Sequence, residues 1–120
     1  MRVAINGFGR IGRCFFRAAM KAEAGKSFEI VAVNDLGSLE NLAYLLKYDT
    51  VYGRSSFNVS QDGKSLSVNG TKIAFVQEKE LAKLPWQKMN IDIVVESTGV
   101  FTDPAKARGH IDAGAKHVVI

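Results

Sequence analysis

A single cysteine, Cys14, excludes an internal disulfide framework and a multi-cysteine zinc site, and it fits a reducing compartment. No metal site is expected. No apolar run approaches the roughly 20 residues of a membrane span. The chain enters a strand directly after Met1, without a signal-type apolar core, so a cytoplasmic protein with no membrane partner is the expectation. Blocks of like charge are missing as well: 16 Lys and Arg against 12 Asp and Glu leave a net +4, scattered from Arg2 to Lys116. A nucleic-acid module would need clustered basic residues interleaved with exposed aromatics, and neither is present. The surplus charge reads as solubility and weak steering of phosphorylated ligands. At 120 residues the chain fits one domain, able to bury roughly two-thirds of its unfolded surface.

What is present begins at Asn6-Gly7-Phe8-Gly9-Arg10-Ile11-Gly12-Arg13, placed after the apolar run Val3-Ala4-Ile5 and before a stretch with helical periodicity. Gly7, Gly9 and Gly12 keep the G-x-G-x-x-G spacing of a dinucleotide-binding turn. Gly7 permits a tight strand-to-helix turn, Gly9 removes a side chain where a pyrophosphate must approach the backbone, and Gly12 lets the helix pack close to the sheet. Unpaired N–H groups at the helix start and the positive end of its dipole then meet phosphate charge. From there Ile11, Cys14, Phe15, Ala18, Ala19 and Ala22 predict a helix with one buried stripe, leaving Arg10, Arg13, Arg17 and Lys21 wet. Gly25 ends it. A strand over 28–33 follows and closes on Asn34-Asp35. A carboxylate there can accept two hydrogen bonds from ribose hydroxyls and repels a 2′-phosphate, so Asp35 points to NAD over NADP. A solvated loop aspartate, or a cap on the next helix, are the other readings.

Leu36-Gly37-Ser38 makes a turn, and Ser38 opens a crossover helix through Leu39, Leu42, Ala43, Leu45 and Leu46. Residues 47–54 have mixed polarity and read as an ordered loop. Phe57-Asn58-Val59 and Ser65-Leu66-Ser67-Val68 alternate around Asp62-Gly63, a hairpin signal, and Asn69-Gly70 supplies a second tight turn. Residues 72–76 read as the third strand of the main sheet. Leu84-Pro85-Trp86 cannot continue a strand through its proline and reads as a loop anchored by a packed tryptophan. Residues 91–96 form the fourth strand, and Ser97-Thr98-Gly99-Val100-Phe101 lies beyond its carboxyl end, where open α/β sheets bind ligands. Thr102-Asp103-Pro104 starts a helix that runs through Ala105 and Ile111 to Gly114, and residues 117–120 begin a fifth strand. The fold class is α/β: a Rossmann-type, mostly parallel sheet with flanking helices and an inserted β-hairpin.

Taken together, Asn6 to Arg13, Val33-Asn34-Asp35, Lys47-Tyr48-Asp49, Leu84-Pro85-Trp86, Glu96 to Phe101 and Gly114-Ala115-Lys116 form an ordered series. Over essentially the whole chain it resembles the N-terminal half of phosphorylating glyceraldehyde-3-phosphate dehydrogenases. Erythrose-4-phosphate dehydrogenases share the first motif and residues 47–50, although Asn34-Asp35 and Glu96-Ser97-Thr98 are more like the glyceraldehyde phosphate enzyme.

The resemblance implies NAD as cofactor. Backbone groups matching Gly9, Arg10 and Ile11 hold the pyrophosphate, and the residue matching Asp35 holds the adenosine ribose. Positions matching Glu78 and Lys79 lie beside the adenine; the family commonly has Glu-Arg there, so Lys79 departs from its pattern. Ser97, Thr98, Gly99 and Phe101 match the segment under the cofactor towards the nicotinamide. With Asn6, Gly7, Phe8, Gly12 and Asn34 these complete the expected cofactor-binding set.

The resemblance also implies a glycolytic oxidoreductase that works as a homotetramer on a small phosphorylated aldehyde. A later cysteine forms a thiohemiacetal, a histidine accepts the proton, hydride passes to NAD, and phosphate releases the thioester as an acyl phosphate. None of those catalytic groups is expected in this chain, since the Ser-Cys-Thr-Thr-Asn type string does not occur in it. Cys14, on the predicted buried stripe, reads as core packing. His110 and His117 lack a partner nucleophile and read as structural, while Phe16 and Met20 read as an edge of the core. Residues 1–120 are therefore expected to be an NAD-binding domain, incomplete at its C-terminal end and cut before the catalytic domain, that binds NAD without turnover. The competing readings are a non-catalytic dinucleotide-sensing or RNA-binding module, an erythrose-4-phosphate dehydrogenase fragment, and another Rossmann dehydrogenase.

Overall fold

The computed structural model describes residues 1–21, 29–48, 59–68, 71–80, 83–98 and 108–119. The expected features at Gly25, residues 49–54, Asn69-Gly70 and Thr102-Asp103-Pro104 lie outside these residues. β1 (Arg2–Asn6), β2 (Glu29–Asn34), β5 (Thr71–Val76), β6 (Ile93–Glu96) and β7 (His117–Val119) run parallel to one another. β3 (Val59–Gln61) and β4 (Ser65–Val68) form the hairpin, joined antiparallel to β5. Among the described residues the sheet has seven strands, in the order β3-β4-β5-β2-β1-β6-β7. The chain thus builds outward from β1 to β2, then returns to place β6 on the other side of β1. That reversal opens a crevice beyond the carboxyl ends of β1 and β6.

β1 explains how the sheet is held. Its residues alternate between the two faces with period two: Val3 and Ile5 enter one core with Phe16, Leu42 and Leu46, while Ala4 enters the other with Trp86, Ile91 and Val94. Both faces are covered, so its inner residues Val3, Ala4 and Ile5 are all apolar. The hairpin turns on Asp62, whose carboxylate accepts the N–H groups of Lys64 (2.9 Å) and Ser65 (2.7 Å). Those bonds and the Ser65 hydroxyl pull the Asp62 carboxyl down to about 2.

α2 (Leu39–Tyr48) starts where Ser38 Oγ accepts the Asn41 N–H at 3.0 Å, an N-cap bond. It buries Leu39, Leu42, Ala43 and Leu46, and it takes in Lys47 and Tyr48, which the sequence pattern assigned to a loop. α3 (Gly109–Asp112) stops at Gly114 in a Schellman arrangement, with Ala115 N–H on the His110 carbonyl and Gly114 N–H on that of Ile111.

α1 (Arg10–Lys21) corrects the predicted stripe. Ile11 is 71% exposed and Ala18 is exposed, Cys14 and Phe15 are half-buried, and Phe16, expected at an edge, is fully buried. Cys14 is a free thiol short of the core position expected for it. The cause is Gly12: a Cβ there would collide with the Gly7 carbonyl oxygen. This close approach fixes the roll of the helix and turns Gly12, Phe16 and Ala19 inward. Phe16 then meets the Phe8 ring edge-on, centroids 5.6 Å apart. The side chain of Met20 lies outside the described set.

Candidate functional site

The crevice is lined by ends of parallel strands. A cavity of about 440 Å³ opens there, bounded by Asn6 and Gly7 at the end of β1, Gly9 in the turn, Asn34, Asp35 and Leu36 at the end of β2, Glu78 and Lys79 after β5, and Ser97 and Thr98 after β6.

The glycine turn is clamped from both neighbours. Gly7 donates its N–H to the Asn34 carbonyl at 2.8 Å, and the Ser97 hydroxyl donates to the Gly7 carbonyl at 2.6 Å. Gly7 has φ +95°, and a Cβ would lie 2.7 Å from the Thr98 backbone nitrogen, so both conformation and space require glycine. The first helical bond runs from Arg13 N–H to the Gly9 carbonyl at 2.9 Å. The N–H groups of Arg10, Ile11 and Gly12 therefore have no intrahelical acceptor. Gly9 differs from its neighbours: a Cβ on it would meet nothing within 4 Å.

Asp35 ties the turn to the end of β2. One carboxylate oxygen accepts the Phe8 N–H at 2.7 Å and the other accepts the Gly37 N–H at 2.8 Å. The helix-capping alternative for Asp35 is thus taken by Ser38. Phe8 reaches this site only through its backbone, because its ring is in the core. Arg10 and Ile11 are exposed on the first turn of α1 beside the cavity rather than in its wall. Gly12 is buried behind the Gly7 carbonyl. Gly99 and Phe101 lie outside the described residues.

Beneath the cavity runs a buried polar relay. Glu78 N–H donates to Asn34 Oδ1 (2.8 Å), Asn34 Nδ2 to Asn6 Oδ1 (2.6 Å), and Asn6 Nδ2 to Glu96 Oε1 (2.7 Å). From the other side Trp86 Nε1–H donates to His110 Nδ1 (3.0 Å), and His110 Nε2 lies 2.6 Å from the same Glu96 oxygen. Thr98 gives Glu96 Oε2 both its N–H (3.1 Å) and its hydroxyl (2.5 Å). Burial pushes the Glu96 carboxyl up, yet the bonds from His110, Thr98 and Asn6 outweigh it, and the group sits below its ordinary value. Burying an unpaired carboxylate costs several kcal/mol, and charge-assisted hydrogen bonds of about 1.5–3 kcal/mol each are what offset it.

Sequence reading missed the role of Glu96. The available signal was an acidic residue closing an otherwise apolar strand. His110 is fully buried in this relay, while His117 is exposed at the start of β7. Among the described residues no group of His, Cys, Asp and Glu could hold a metal ion, and no helix is long and apolar enough to cross a membrane.

A glycine turn feeding a helix at the reversal of a parallel sheet, with a carboxylate closing the second strand, defines a dinucleotide-binding α/β domain. Residues 1–104 match the family described as glyceraldehyde 3-phosphate dehydrogenase, NAD binding domain. Glyceraldehyde-3-phosphate dehydrogenase 1 of Streptomyces avermitilis is 50% identical over 120 residues, covering 100% of this chain and 35% of the relative. The enzyme of that name from Mycolicibacterium smegmatis is 54% identical over 125 residues, 100% of this chain and 37% of its own. Glyceraldehyde-3-phosphate dehydrogenase 1 of Kluyveromyces marxianus is 50% identical over 119 residues, 98% of this chain and 35% of its own. The chain belongs to the NAD-binding domain family of the glyceraldehyde-3-phosphate dehydrogenases. It spans about a third of the length of the curated relatives it matches.

Proposed function

We propose that residues 1–120 form the NAD-binding portion of a phosphorylating glyceraldehyde-3-phosphate dehydrogenase, a cytoplasmic, homotetrameric enzyme of glycolysis. Gly9 and the first-turn N–H groups of Arg10 and Ile11 receive the pyrophosphate, in the turn shaped by Gly7 and Gly12. Asp35 takes the adenosine ribose. Each of its oxygens has one lone pair committed to a backbone N–H, and a carboxylate offers about four such sites, so both oxygens keep room for a hydroxyl. Glu78 and Lys79 flank the adenine, and Ser97 and Thr98, with Gly99 and Phe101, carry the nicotinamide half. Bound NAD supplies the hydride acceptor. The aldehyde-binding cysteine, its base and the substrate contacts belong to the part of the relatives' length beyond this chain, which on its own binds NAD without turnover.

The observation that carries the site assignment is Gly9. Neither a positive φ nor a neighbour demands glycine there, and the position faces the cavity. A side chain would obstruct only a ligand seated on the start of α1. Calorimetric titration of the parent chain and of Gly9→Ala with NAD and NADP tests this. NAD binding that exceeds NADP binding and is lost in Gly9→Ala is the expected result; equal affinity for both nucleotides, or an unaffected Gly9→Ala, defeats the assignment.

A further inference from the structure

Both arms of the buried relay end with a donor on Glu96. Asn34 cannot turn its amide round, because Oδ1 accepts the Glu78 N–H at 2.8 Å and Nδ2 donates to the Glu78 carbonyl at 3.0 Å. Asn6 is therefore fixed with its oxygen towards Asn34 and its Nδ2 towards Glu96. Trp86 has only a donor to offer, so His110 Nδ1 accepts and Nε2–H faces Glu96. Thr98 presents both of its donors to the remaining oxygen. Donors thus meet both carboxylate oxygens, and a glutamine in either orientation would set its NH2 against one of them.

This arrangement places a structural demand directly behind one part of the cavity. Thr98 and Asn6 line it, and both hang from Glu96. On the β2 side Asn34 keeps its two bonds to the Glu78 backbone whatever happens at Glu96. In a doubly wound sheet the adenosine lies over the second strand, and the other half of the dinucleotide lies across the reversal, over β6.

We propose that Glu96 is a positioning residue for NAD, holding Thr98 and Asn6 as the wall under the nicotinamide half while leaving the adenosine half to Asp35 and Asn34. This rests on the assignment of the cavity made above. A purely architectural glutamate would weaken binding of all nucleotides alike, whereas a positioning residue on the β6 side discriminates between NAD and ADP, which lacks the nicotinamide half.

The experiment measures NAD and ADP affinity calorimetrically on the full chain and on Glu96→Gln. Loss of charge-assisted bonds at the wall should lower the NAD-to-ADP affinity ratio by about tenfold. A ratio that falls by less than about threefold in folded Glu96→Gln overturns the proposal. Should that variant not fold, Thr98→Val keeps the carboxylate and removes the hydroxyl bond to it. A selective several-fold loss of NAD binding then supports the proposal, and unchanged NAD binding overturns it. A parent chain that binds neither NAD nor ADP overturns the cavity assignment itself, and the role of Glu96 with it.

Discussion

The indole N–H of Trp86 donates to Nδ1 of His110 at 3.0 Å, with both side chains fully buried. Because indole is a donor only, the bond dictates the imidazole tautomer and aims Nε2–H at Glu96. The tryptophan that sequence reading assigned to packing alone therefore also orients a histidine. Trp86→Phe keeps much of the apolar bulk but strands a buried acceptor. A loss of about 2–4 kcal/mol is expected from the missing bond and the residual cavity. It should appear as a lower urea midpoint at unchanged slope; an unmoved midpoint would show that the bond adds nothing to stability.

The Glu96 carboxyl, with its pKa held below the ordinary value, makes stability depend on acid. The unfolded chain binds this proton at higher pH than the folded one does. The contribution is therefore fully present above the unfolded pKa of about 4.3 and is lost as pH falls through the lower folded value. Unfolding free energy measured by urea from pH 6 to pH 3 should decline in the parent. The stability gap between the parent and Glu96→Gln should narrow over the same range. A gap independent of pH would mean that the carboxylate charge is not what the relay depends on.

Much of this was legible in the sequence because the signals were local. The glycine spacing, the Ser38 cap, the Asp62-Gly63 hairpin and the apolar strands each follow from residues a few positions apart. The roll of α1 was not legible: the apolar pattern from Ile11 to Ala22 fits a helix, but contact between Gly12 and the Gly7 carbonyl decides which face turns inward. Nor was the relay, since Glu96 and His110 are 14 positions apart and Asn6 and Glu96 are 90 apart. Only the parallel pairing of β1 with β6 brings the latter two to one level.

Asp35 should carry a double penalty when altered. Its two oxygens accept the Phe8 and Gly37 N–H groups, and Asp35→Asn can serve only one of them, with its NH2 facing the other. Stability should fall by about 1–2 kcal/mol. NAD affinity should fall by roughly tenfold, with NADP less affected because the repulsion of its 2′-phosphate is gone. Paired urea unfolding and calorimetry separate the two effects. An Asp35→Asn chain that keeps its preference for NAD would remove the carboxylate from the account of specificity.

The glycines of the turn make the sharpest separation between folding and binding. Gly7→Ala would strain φ at +95° and press its methyl onto the Thr98 backbone at 2.7 Å. Gly12→Ala would drive a methyl into the Gly7 carbonyl. Neither obstacle is the tip of a flexible side chain, so each variant should lose about 2 kcal/mol or more of stability. Gly9→Ala meets nothing within 4 Å, so its stability should stay within about 0.5 kcal/mol of the parent. Its NAD binding should nevertheless be the weaker, since the methyl takes the space through which a phosphate reaches the N–H groups of α1. Thermal unfolding without nucleotide would rank the variants with Gly9→Ala beside the parent, and added NAD would stabilise the parent but not Gly9→Ala. If Gly9→Ala instead unfolds as early as Gly7→Ala, the turn is built for the fold throughout, and its central glycine says nothing about a ligand.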